Sequence, residues 1–132
     1  FKRVMIETGS SLASKLGAGD GLLGNATIVE KTTDANHTLT VAEMSGGIVY
    51  YSALSAGRTV TTPTAALILA AAPDMDIGDS FRFEVVIQEA FAITWAAGTG
   101  VTLRGRATTA ASSTSVITVV KTSATTVDWF VG

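Results

Sequence analysis

Short runs of alternating apolar and polar residues, each closed by a turn, dominate the chain from residue 37 onward and leave few folds open to it. Phe81, Phe83, Val85 and Ile87 alternate with Arg82, Glu84 and Val86. Successive side chains of a strand point to opposite faces, so the two phenylalanines, Val85 and Ile87 line one face and Arg82 and Glu84 the other. Residues 114–121 and 126–131 form similar runs, rich in threonine and valine, with 122–125 as the turn of a hairpin. Residues 37–41, 48–51, 58–61, 91–95 and 101–104 read as further strands, and 42–47 and 97–100 as turns. Only residues 63–72 read as a helix. Thr62 stands as its cap, Pro63 takes the first helical position, an Ala/Leu run follows and Pro73 ends it. So apolar a helix should be covered on most sides. Strands at this spacing with so little helix predict an all-β fold, an antiparallel β-sandwich or a jelly-roll-like barrel.

Residues 1–36 lack that rhythm. Two short apolar runs, Val4-Met5-Ile6 and Thr27-Ile28-Val29, flank a stretch that holds Gly17, Gly19, Gly21 and Gly24. So many glycines are too costly in backbone entropy for a helix. The expectation is an extended N-terminal arm over 1–36 and a β domain over 37–132. The alternative is that the first segment supplies the opening strands of the domain.

Composition narrows the function. Hydrophobic residues make up 47% of the 132 residues and charged residues 15%, with a net charge of −2 and a mean hydropathy of +0.41. A disordered polar chain is excluded, because it would need the opposite balance. A basic nucleic-acid binder is excluded by bulk charge. The chain has no cysteine, which excludes disulfides, thiolate metal sites and thiol chemistry. Its longest apolar run, residues 65–72, is far short of the ~20 residues of a membrane span. Lys2 and Arg3 are not followed by the long apolar stretch of a secretory signal. The apolar surplus is therefore expected to go into contacts with other chains.

Few residues invite chemistry. Asp74, Asp76 and Asp79 share one turn and offer carboxylate oxygens of the kind Ca²⁺ takes. The glutamate that closes an EF-hand is missing, and a solvated turn, where Asp is common, is the expected reading. The glycine stretch at 17–24 is not followed by the Gly-Lys-Ser/Thr of a phosphate loop. His37 is the one histidine, and no Gly-x-Ser-x-Gly elbow accompanies it. No enzymatic activity, no cofactor and no metal are expected. The aromatic residues say more. Tyr50 and Tyr51 are adjacent, as are Trp129 and Phe130, so one ring of each pair must turn away from the local core. Tyr50, Tyr51, Trp95, Trp129 and Phe130 are the candidates for interface anchors. Arg82 with Glu84, or Arg104 with Arg106, would be a solvated strand face or charges at a subunit rim.

The segment 37–132 resembles the small head decoration, or cement, proteins of bacteriophages and related head-fibre domains. The residues that carry the resemblance are Leu39-Thr40-Val41-Ala42-Glu43-Met44-Ser45-Gly46-Gly47-Ile48, Thr62-Pro63-Thr64-Ala65-Ala66, Ile77-Gly78-Asp79-Ser80-Phe81-Arg82-Phe83, Ala97-Gly98-Thr99-Gly100-Val101-Thr102-Leu103 and the final Thr/Val-rich hairpin. Their order and spacing, rather than any one motif, make the likeness. It implies a non-enzymatic virion structural protein on the outer surface of a capsid, with the major capsid protein and copies of itself, usually as a homotrimer, for partners. No nucleic acid and no membrane would be involved. The alternative is a receptor- or glycan-binding module of a phage fibre or tail.

Overall fold

The computed structural model of the protein describes residues 26–132. Val4-Met5-Ile6, the glycine stretch at 17–24 and most of the expected arm lie outside the described residues.

The described chain is predominantly β. Its strands are β1 (Thr27–Lys31), β2 (His37–Thr38), β3 (Gly47–Tyr51), β4 (Arg58–Thr61), β5 (Ser80–Ile87), β6 (Ile93–Ala96), β7 (Val101–Gly105), β8 (Thr108–Thr109), β9 (Ser113–Lys121) and β10 (Val127–Val131). Two short helices, α1 (Val41–Ser45) and α2 (Ala65–Ala71), interrupt them. The strands form a large sheet of six, in the order β1-β3-β5-β9-β10-β7, and a small sheet of four, in the order β2-β4-β6-β8.

The chain winds between the sheets. From β1 to β9 each strand of the large sheet is followed by one of the small sheet, so every second strand returns to the same sheet. A return after a full circuit enters in the same direction. Thr27 comes to lie beside Gly47 and Ile48 beside Glu84, both in parallel ladders. His37 lies beside Val60, and Arg58 beside Ile93, in the same way. Five of the eight ladders are parallel, and three are antiparallel. The sheets are therefore mixed, where the sequence suggested antiparallel pairing. Alternation fixes which side chains are buried, but it does not say which strand lies alongside.

The hydrogen-bonded sheet also takes in Thr27–Lys31, ahead of His37 where the sequence suggested that the domain begins. Gly46 shows how closely that first strand is stacked. A Cβ on it would meet the Thr27 carbonyl oxygen at 2.6 Å, and the Thr27 N–H donates to the Gly46 oxygen at 2.7 Å.

The helix expected over 63–72 is α2, but its cap is Thr64 rather than Thr62. Thr64 Oγ1 accepts from the Leu67 N–H at 3.3 Å. Thr62 is instead buried, accepting from the Gly98 N–H and donating to the Pro63 oxygen, each at 2.9 Å. The helix is covered on one side only: Ala65 and Ile68 are buried, while Leu67 is 59% exposed. The turn expected at 42–47 contains α1. Thr40 and Glu43 close a reciprocal capping box there, with Glu43 N–H on Thr40 Oγ1 at 3.2 Å and Thr40 N–H on Glu43 Oε1 at 2.9 Å.

Side chains of both sheets meet in one core. Trp129 of β10 lies at its centre, edge-on to Phe83 at 5.4 Å and 5.7 Å from Trp95 of the small sheet. The Trp95 indole N–H donates to Thr109, and Thr109 donates to Ser115, both at 2.9 Å. This buried chain of polar groups ties β6, β8 and β9 together and satisfies side chains that would otherwise be costly to bury.

Candidate functional site

The outer face of the large sheet is built from the residues that alternate with the core. Val49, Phe83, Val85, Ile117, Val119, Val127 and Trp129 point inward and are buried. Their neighbours point outward, and the strand register arranges them in rows. One row runs Ile28, Ile48, Glu84, Val116. A second runs Glu30, Tyr50, Val86, Thr114. A third runs Arg82, Thr118, Phe130, Arg104. Ile28 is 65% exposed, Val116 42% and Phe130 39%. A sheet with parallel strands is ordinarily covered on both faces. Here β1, β3 and β5 are parallel, yet Ile28, Glu30 and Glu84 on their outer side are exposed.

The five aromatic candidates divide accordingly. Tyr51, Trp95 and Trp129 are core residues with 0%, 4% and 0% exposure, so the folded chain cannot present them to a partner. Tyr50 and Phe130, their strand neighbours or counterparts, remain on the outer face. Within each adjacent pair one ring faces in and one out, as the strand period requires. The sequence could not say which, because both members are large and apolar enough for a core.

Polar locks hold the first circuits of the winding together. Lys31 Nζ of β1 lies 2.7 Å from Glu43 Oε2 of α1. Burial pushes the Glu43 carboxyl up, but the bonds from Lys31 and the Thr40 N–H outweigh it and leave the group below the ordinary carboxylate range. Asp34 accepts from the Ser55 hydroxyl, from the Ser55 N–H at 3.0 Å and from Arg58. These bonds, the hydroxyl foremost, hold its carboxyl down at about 2. His37 is engaged on both ring nitrogens, by the Ala35 oxygen at 2.9 Å and the Tyr51 hydroxyl at 2.8 Å. A carbonyl can only accept, so in the neutral ring Nδ1 carries the proton and Nε2 accepts from Tyr51. Burial first, and then the nearby Glu43 charge, raise the Tyr51 hydroxyl above its usual value and keep it a donor. The signal for α1 and its lock was present in the sequence as Thr40-x-x-Glu43, a spacing that sequence reading passed over.

Two grooves among the described residues are lined by no His, Asp, Glu or Lys side chain. A groove of about 620 Å³ lies where the small sheet meets α2, among Leu39, Thr40, Pro63, Leu67 and Gly98, and no titratable side chain lines it. A second, of about 310 Å³, lies between the helices and β5 and is bordered by Met44, Ile68, Phe81 and Arg82. In the aspartate turn, Asp79 Oδ2 accepts from the Asp76 N–H at 2.9 Å, and Lys121 Nζ reaches the Met75 oxygen at 2.8 Å. Among the described residues no group of three or more His, Asp or Glu side chains is placed to hold a metal ion. Nor is any helix among them long and apolar enough to cross a membrane.

Compared with known proteins, the chain matches no family model, no curated protein and no solved structure.

Proposed function

We propose that the chain is a virion structural protein, a decoration or cement protein that binds the outer surface of a phage head and stabilises its lattice. The observation that carries this reading is the outer face of the large sheet, where Ile28, Val116 and Phe130 stand exposed on a body rich in apolar residues. Such a face belongs to a protein whose work is contact. The resemblance of residues 37–132 to decoration proteins supplies the kind of contact: copies of itself as a homotrimer, and the major capsid protein. Its two sheets form a sandwich of mixed rather than antiparallel strands, a reading that the contact between Trp95 and Trp129 supports. It is not an enzyme.

A ligand that binds only the assembled state stabilises that state by mass action. A shell offers many equivalent sites, so an oligomer bound at several of them gains avidity without large contacts per chain. The alternative, a glycan-binding module of a fibre or tail, would have to use Tyr50 and Phe130, since Trp95 and Trp129 are in the core. The test is to co-sediment the protein with phage heads and to strip it from them. The expected result is co-sedimentation, with stripped heads less resistant to heat and osmotic shock. Heads that neither bind the protein nor change on its removal would defeat the proposal.

A further inference from the structure

We infer that the outer face of the large sheet is the surface through which copies of this chain associate, with Arg82 of one copy set against Glu84 of the next. The inference rests on the self-association in the reading above and not on the capsid.

Arg82 and Glu84 lie two residues apart on β5, both exposed, with Arg82 in one outward row and Glu84 in the next. At ~3.3 Å per residue their origins are about 7 Å apart along the strand. The ion pairs among the described residues are Lys31–Glu43, Asp34–Arg58 and Arg104–Asp128, so neither charge is matched among those residues. Their register neighbours are Ile48 and Val116 beside Glu84 and Thr118 beside Arg82. Covering the apolar neighbours therefore draws both charges out of water, which is strongly unfavourable unless each finds an opposite charge. A partner patch of one sign would serve one of them and repel the other. A second copy serves both, because the face carries its own complement. A two-fold axis across β5 makes two Arg82–Glu84 contacts at once, and a three-fold ring makes one at each junction. Either arrangement pairs both of these charges.

The face is modest in size. Five strand spacings of ~4.8 Å by a five-residue strand of about 17 Å give roughly 400 Å², half of the ~800 Å² that each partner of a standard interface buries. Copies held by this face alone should therefore exchange readily.

The test is sedimentation velocity on the full chain from low to high micromolar concentration, with near-ultraviolet circular dichroism to verify the fold. The expected result is concentration-dependent association, weakened about tenfold or more by Arg82→Glu and by Glu84→Arg, since each sets like charges together. The double variant Arg82→Glu/Glu84→Arg should restore it. An equimolar mixture of the two single variants should recover a two-fold assembly fully, whereas a three-fold ring keeps at least one repulsive junction. Association unchanged by both single reversals, or a chain that stays monomeric throughout, would overturn the inference. Head binding is scored separately by co-sedimentation. A decoration protein that associates through another surface would keep the first reading and lose this one.

Discussion

Asp34 shows how a single carboxylate can anchor a loop. It stands between β1 and β2 and gathers donors from Ser55 and Arg58, so the segments before β2 and before β4 are bound to one group. Its folded pKa of about 2 lies below the ordinary 3.8, so the unfolded chain takes up the proton first. The stabilisation is then fully present above about pH 4 and is lost as pH falls towards about 2. Chemical denaturation of the protein and of Asp34→Asn across that range should show the two stability curves converging as the medium becomes more acid. A gap that stays constant would mean that the carboxylate charge is not what matters. Gly98 makes a steric case. A Cβ there would meet the Thr62 and Pro63 backbone oxygens at 2.7 and 2.8 Å, and neither atom can swing aside as a side-chain end could. Gly98→Ala is expected to destabilise the fold by about 1–3 kcal/mol, the usual consequence of overpacking. The thermal midpoint would report it.

At the scale of elements, the alternating pattern located the strands well and their partners poorly. Residues 81–87, 114–121 and 126–131 correspond to β5, β9 and β10 to within one residue at each end. The hairpin of β9 and β10 was legible because its turn is short and local. The parallel ladders were not, because each links strands separated by a passage through the other sheet, and such pairing leaves no mark on either strand alone. The first strand was legible only as the run Thr27-Ile28-Val29. Its neighbour β3 gives it a place, through pairs such as Ile28 with Ile48. The contact face was partly legible. Adjacency of Tyr50 with Tyr51, and of Trp129 with Phe130, required outward rings, and the outward charges of β5 followed from period two. Which ring faced outward needed the packing around Trp129. These differences in packing should appear in local stability. β1 is an edge strand with no fully buried residue, whereas β9 lies between β5 and β10 in the large sheet. Hydrogen exchange should release the β1 amides well before those of β9, because opening an edge exposes little apolar surface. Equal protection in the two strands would mean that the β1 edge is covered.

The whole molecule is a body with its large aromatic side chains divided by role. Trp129, Phe83 and Trp95 hold the two sheets together inside, while Phe130 and Val116 lie on a face that adds little to the isolated fold. If that face is buried in the working assembly, its contribution to stability must depend on protein concentration, because association draws the folded state from the equilibrium with the unfolded chain. The same face in a true monomer would give a thermal midpoint independent of concentration. Phe130→Ser separates the two cases. In dilute solution the substitution should change stability by no more than about 0.5 kcal/mol, as expected for a partly exposed position away from the core. In concentrated solution the parent protein should melt at a higher temperature than when dilute, and the variant should not. Trp95→Ala provides the contrast. It removes a core side chain, so it should destabilise by about 3–5 kcal/mol at every concentration. A parent midpoint that does not move with concentration, with Phe130→Ser following it throughout, would assign the outer face to solvent.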